Sequence, residues 1–353
     1  MNKKFFLPSI TAIFIAALFI KNSELTALYV KKGLESCFLT IIPSLFPLMV
    51  VSEILRECGA LTLIGRYLGK PLKRLFCLSE KSIAAVLSGL MFGFPIGTRA
   101  LAALSDREEI SSDELSTAIG FCGIPSFGFI VNVMGITLFS NRAFGIFMYV
   151  TAIISALISG IVFSRRKKSE YRFVAPTREK EKSSAEIITE AISSATGAII
   201  TLCAYVVFFS CIVGCLSNTL FSKPIGAFIG ASLELTSGVL ASAEMGGILG
   251  IALCGFTVGF SGFSVHCQTM ALISDRVSSY TKYLVQKLFQ GMLCAFGAVG
   301  YALVTNFEPA PAEIAVFSPI FTPEYTAIVF ILFFVCLSGC KRRLLYRKKE
   351  LSH

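Results

Sequence analysis

Residues 191–221 read AISSATGAIITLCAYVVFFSCIVGCLSNTLF, a run without Asp, Glu, Lys or Arg. About 20 helical residues cross a hydrocarbon core, so this stretch alone is long enough to span a membrane. Residues 245–274 and 288–307 are uncharged in the same sense. Shorter apolar stretches occupy 5–20, 36–52, 82–100 (interrupted by Arg99), 116–139, 143–164, 225–243 (interrupted by Glu234) and 325–340. Over the whole chain 54% of residues are apolar and 15% charged, with a mean hydropathy of +0.74. Soluble domains average roughly 45–50% apolar and 25% charged, so an ordinary soluble protein is excluded. The expected fold is all-α: a polytopic integral membrane protein with about eight full transmembrane helices plus two broken or re-entrant helical segments in two related halves.

The net charge of +10 is concentrated between the apolar segments: eight Lys/Arg in 165–182, six in 341–349 and six in 56–81. Clustering of this kind sets topology and attracts anionic lipids, and no aromatic interleaving suggests nucleic acid. The charges therefore place both termini, 56–81 and 165–182 in the cytoplasm. They divide the chain into a first membrane half (1–164), a basic linker (165–190), a second half (191–340) and a basic tail (341–353). The first apolar segment runs into Lys21-Asn22-Ser23-Glu24 with no small-residue cleavage pattern, so it reads as a retained helix. The twelve Cys have no metal-type spacing with His, and no cofactor motif is present. The residues give no support to an enzyme.

Crossing parity locates the irregular elements. Three apolar segments lie between 56–81 and 165–182, and five between 182 and 341; both counts are odd although both paths begin and end inside. One segment in each half must then turn back or be split. The candidates are 82–104, which contains Gly93-Phe94-Pro95-Ile96-Gly97-Thr98-Arg99, and 245–274, which contains Gly255 to Gln268. Proline lacks an amide donor and glycine admits non-helical dihedrals, so both segments expose backbone polar groups at membrane depth. Such groups are tolerated only in protein interior or against a water-filled cavity. Paired interrupted segments in two halves are a sequence pointer to a transporter's binding site. Re-entry of both from the cytoplasm fits this charge pattern, whereas a strictly inverted repeat conflicts with it.

The candidate solute contacts are Gly93, Phe94, Pro95 and Gly97 of the first interruption and the ionisable or polar side chains of Thr98, Arg99, Asn132, Ser261, Ser264, His266 and Gln268. Arg99 beside a half-helix N-terminus suits a carboxylate, and pairing with Asp106 or Glu234 is the competing role. Glu234 is a candidate proton carrier or counter-ion. His266 is either a satisfied core histidine or a titrating group. Gly259-Phe260-Ser261-Gly262 also has the Gly-x-Ser-Gly form of rhomboid-type intramembrane serine proteases, but those take their histidine from another helix, and here His266 lies in the same segment.

Taken in order, the Gly93–Thr98 run, the acidic turn after it, the 121–135 segment with Asn132, Leu233-Glu234-Leu235-Thr236-Ser237-Gly238 and Gly262-Phe263-Ser264-Val265-His266-Cys267-Gln268 resemble the YlbJ (SpoVV) sporulation integral membrane proteins of the nucleoside-recognition, or Gate-domain, superfamily. The chain departs from the pattern at Arg99, where a small residue is expected, at Ser237 (Asn) and at His266 (Gln). The resemblance implies transport of dipicolinate, a small anionic aromatic, across the outer forespore membrane during sporulation. At the superfamily level it equally implies nucleosides, with Asn132, Gln268 and Glu234 bonding base or ribose.

Overall fold

A computed structural model describes residues 3–58, 72–73, 75–164, 183–219, 223–273, 276–277 and 279–311. The apolar segment at 325–340, the basic tail and most of the basic linker lie outside the described residues. Every regular element among the described residues is helical. They are α1 (Lys3–Lys21), α2 (Ser23–Ser36), a π-helical turn (Cys37–Ile41), α3 (Ile42–Glu57), α4 (Glu80–Phe92), α5 (Ile96–Asp106), α6 (Ser112–Ala118), a π-helix (Gly128–Leu138), α7 (Arg142–Phe163), α8 (Ser184–Thr219), α9 (Lys223–Leu233), α10 (Leu235–Met245), α11 (Gly247–Phe260), α12 (Gly262–Ile273) and α13 (Tyr280–Thr305). Five stretches are long and apolar enough to cross a membrane: Ser23–Glu57, Arg142–Phe163, Ser184–Ser217, Gly247–Ile273 and Tyr280–Thr305. The chain is thus a polytopic helical membrane protein, with fewer long apolar helices among the described residues than the eight full spans expected. α8 begins at Ser184, inside the stretch read as linker.

In the first half the interrupted segment turns back on itself. α4 ends at Gly93, whose φ of +90° is open to glycine, and the Phe94–Pro95 peptide is cis. α5 then runs back along α4. A Cβ on Gly89 would stand 2.9 Å from Gly97 Cα and 1.9 Å from the Cys122 carbonyl oxygen, so the two helices meet backbone to backbone. The expected re-entrant shape is present here.

In the second half the break expected in 245–274 is present at Ser261–Gly262, but the turn-back lies in another segment. The segment that turns back is α9–α10, hinged at Glu234, where a Cβ on Gly238 would meet Ala231 Cα at 2.5 Å. Sequence had read 225–243 as a plain span containing one carboxyl. No proline or glycine marks its tip, because Glu234 itself ends one helix and caps the next: its carboxylate accepts from Thr236 N–H (2.9 Å) and Ser237 N–H (2.7 Å). The 245–274 segment, read as re-entrant, instead continues through the bundle. Ser261 at φ +72° and Gly262 at φ +79° interrupt it; before the break it packs antiparallel to α13, with Gly255 against Cys294 and Gly259 against Gln290, and beyond it the His266 side chain still reaches Tyr283.

The order helix, hairpin, broken span, helix therefore occurs twice: 23–57, 80–106, 112–138 and 142–163, then 184–219, 223–245, 247–273 and 280–305. The α2–α3 stretch pairs antiparallel with α8, Thr26 meeting Cys215, Gly33 meeting Val207 and Cys37 meeting Cys203. Each hairpin follows the C-terminal end of one of these two antiparallel stretches, so the hairpins enter from opposite ends. A hairpin at 225–243 in place of 245–274 makes this inverted order compatible with the charge pattern expected from sequence.

Close backbone packing makes the first hairpin intolerant of any side chain at its crossing. Gly89→Ala is expected to destabilise the purified protein by about 2–4 kcal/mol through overpacking against the Cys122 carbonyl. A thermal melt in detergent that leaves Gly89→Ala level with wild type would contradict this packing.

Candidate functional site

Four interruptions converge inside the bundle. The tip of the first hairpin bonds to the break in the 112–138 span, where Phe94 N–H donates to the Ile124 carbonyl (2.8 Å). A Cβ on Gly93 would lie 2.8 Å from Ser126 Cα. The tip of the second hairpin abuts the other broken span, a Cβ on Gly262 falling 3.1 Å from Glu234 N. Between them lies a narrow cavity of about 50 Å³. Phe94, Pro125 and Ser126 line it from the first half, and Glu234, Thr236, Ser261, Ser264 and Gln268 from the second. Leu45, Leu202 and Val206 from α3 and α8 form an apolar wall.

Of the residues singled out by sequence, Phe94, Ser261, Ser264, Gln268 and Glu234 are brought together here. Gln268 Nε2 donates to Ser264 Oγ at 3.4 Å, one turn apart on α12. Glu234 is 2% exposed and, among the described residues, no ion pair reaches it; two amides of α10 hold its carboxylate. Gly93 and Pro95 shape the hairpin tip, while Gly97 is a packing contact. Thr98 is buried with Oγ1 3.7 Å from Cys122 Sγ.

Three candidates lie elsewhere. Arg99, expected beside the solute, points to a separate polar pocket formed by α3, α5 and α8. There its guanidinium donates to Ser194 Oγ (2.7 Å) and the Ser194 carbonyl (3.2 Å) and sits 3.5 Å from Glu53. Glu53 also takes Arg56 at 2.8 Å. Arg99 is on the second turn of α5, and that extra turn swings it away from the tip. Its anticipated partners are otherwise engaged: Asp106 pairs with Arg276, and Glu234 caps α10. Asn132 is exposed on the π-helix and does not line the cavity. His266 is fully buried behind it, its Nδ1 sharing a 2.9 Å hydrogen bond with Tyr283 Oη and its ring edge-on to Phe260. His266 Nδ1 is thus paired with Tyr283 rather than with Ser261.

Sequence reading passed over Lys287 and Gln290. Lys287 stood at the edge of a charge-free run and was counted as its boundary. It is buried on α13, with Nζ 2.5 Å from the Gly123 carbonyl and 3.2 Å from Gln290 Oε1, and Gln290 Nε2 donates to the Gly120 carbonyl (2.6 Å). Four-residue spacing from Tyr283, across an otherwise apolar helix, was the available signal.

The fold and the cavity define a polytopic helical membrane protein whose interior is built from discontinuous helices and two hairpins. The chain is similar to the sporulation integral membrane protein YlbJ of Bacillus subtilis (strain 168), with 21% identity over 322 residues, covering 80% of this chain and 79% of that one. That likeness bears out the YlbJ-like resemblance read from the motifs. No family model and no solved structure matches.

Three substitutions test the Glu53–Arg99 pair and the Glu234 cap. Glu53→Gln and Arg99→Met, singly and together, should be non-additive in stability by about 0.5–3 kcal/mol, as expected of contacting groups; additive losses would dissolve the pair. Glu234→Ala should lower stability by about 0.5–2 kcal/mol through loss of the helix cap, measured by the same melts.

Proposed function

We propose that this chain is a membrane transporter or facilitator for a small planar solute, with dipicolinate moved across the outer forespore membrane during sporulation as the leading candidate. The convergence of four helix interruptions on one largely apolar cavity that carries a few polar side chains supports the reading. Unwound backbone in a membrane protein is sustained only where protein or water satisfies it, and discontinuous helices in paired halves typically surround a solute site. The sporulation relative supports a role in sporulation, and the resemblance read from the motifs suggests dipicolinate as the solute. Phe94 offers a ring for stacking, and Ser261, Ser264 and Gln268 offer hydrogen bonds. No covalent step is assigned to any residue, and the chain is proposed not to be an enzyme.

A cavity of about 50 Å³ has room for a few waters but not for a pyridine ring. Loading then requires the hairpins to part. Under the charge rule the termini, 56–81 and 165–182 face the cytoplasm, where their lysines and arginines also meet anionic lipid. The first hairpin enters from that side and the second from the opposite one.

One observation favours a second reading. The cavity contains the Glu234 carboxyl, while Arg99 is held outside by Glu53 and Ser194. An acceptor with no cation beside it suits a neutral solute that donates hydrogen bonds, such as a nucleoside, better than a dianion.

Uptake of radiolabelled dipicolinate and of uridine into proteoliposomes distinguishes the two. Wild type is expected to accumulate one of them, and Gln268→Leu to reduce that uptake roughly tenfold by removing a hydrogen bond to solute. Accumulation of neither, or a Gln268→Leu rate equal to wild type, removes the cavity as the site.

A further inference from the structure

Tyr283, Gln286, Lys287, Gln290 and Cys294 recur at helical spacing on α13, and all are buried. This stripe faces the two broken spans. Tyr283 meets His266 and Thr269 on α12. Lys287 and Gln290 meet the carbonyls of Gly123 and Gly120, in the irregular stretch between α6 and the π-helix. Those carbonyls lack helical partners because the helix stops there.

Lys287 is 2% exposed, and among the described residues no ion pair reaches it. A buried ammonium without a counter-ion is expensive, and carbonyl and amide oxygens here compensate it. Its two oxygen partners, one from unwound backbone and one from a side-chain amide, are the donor types with which discontinuous helices hold Na⁺. Beside them Gln286 is buried with neither its Oε1 nor its Nε2 partnered, and its amide lies against Gly120, where an added Cβ would fall 1.9 Å from Oε1. Gln286 Oε1 is thus a buried oxygen on the same helix, beside the same break, that the ammonium does not use.

We propose that Lys287 is a fixed cation occupying a monovalent-cation site formed by the Gly123 carbonyl and Gln290 Oε1, with the unpartnered Gln286 amide against the neighbouring Gly120. The ammonium holds the first broken span in place of a metal ion. The wild-type chain therefore needs no Na⁺ at this break, and removing the ammonium opens the site to Na⁺ or Li⁺. The consequence for solute coupling rests on the transporter reading; the cation site itself is read without any solute.

The test is the melting temperature of the purified full-length chain in NaCl, LiCl, KCl and N-methylglucamine chloride at equal ionic strength. Wild type and Lys287→Arg are expected to melt at the same temperature in all four. Lys287→Ala is expected to melt lower in N-methylglucamine chloride and to recover saturably with NaCl or LiCl, by on the order of 2–4 °C or more. A wild-type melting temperature that rises saturably with NaCl overturns the proposal, and this arm needs no variant to fold. So does a Lys287→Ala chain that behaves alike in all four salts or folds in none. If the melts behave as expected while proteoliposomes accumulate neither dipicolinate nor uridine, the transporter reading fails and the cation site stands.

Discussion

Every helix interruption inside a membrane protein frees amides and carbonyls that the hydrocarbon cannot accept, and the architecture of this chain is arranged around satisfying them. The interruptions satisfy one another in part: Phe94 N–H reaches the Ile124 carbonyl across two separate breaks. Side chains supply the rest. Tyr149 donates to the Leu90 carbonyl (2.9 Å) where α4 ends, Glu234 caps α10, and Lys287 with Gln290 closes the carbonyls of Gly123 and Gly120. The cavity is the small space left where these arrangements meet.

How much of this was legible depended on which residue made each break. Gly93-Phe94-Pro95 announces its turn, since a proline and a glycine at φ +90° leave a helix little choice. The second tip is made by Glu234, which is not a favoured capping residue, and periodicity and hydropathy both read through it. The glycines at 255 and 259, which looked like a break, bring α11 against α13, where a Cβ at 259 would stand 2.4 Å from the Gln290 carbonyl oxygen. Glycine in an apolar helix marks either a break or a close approach, and a single sequence does not separate them.

The same ambiguity governed the charges. An arginine two residues beyond an interruption was read as belonging to it, yet one turn of helix was enough to send Arg99 to Glu53 and Ser194. A lysine at the border of an apolar run was read as outside, yet Lys287 is buried. Hydropathy places a charge along the chain, whereas its function follows from the helix face it occupies, which becomes visible only once neighbours are known.

The inverted arrangement of the hairpins also has an electrical corollary. Because they enter from opposite ends and both tips line the cavity, a solute site there, as proposed, would lie partway through the insulating thickness. A unit charge crossing the whole of a 100 mV potential changes energy by about 2.3 kcal/mol. Under the transporter reading, a charged solute held there would have traversed only a share of that drop, so the potential would weigh on entry and on release separately, and a neutral solute would be indifferent to both.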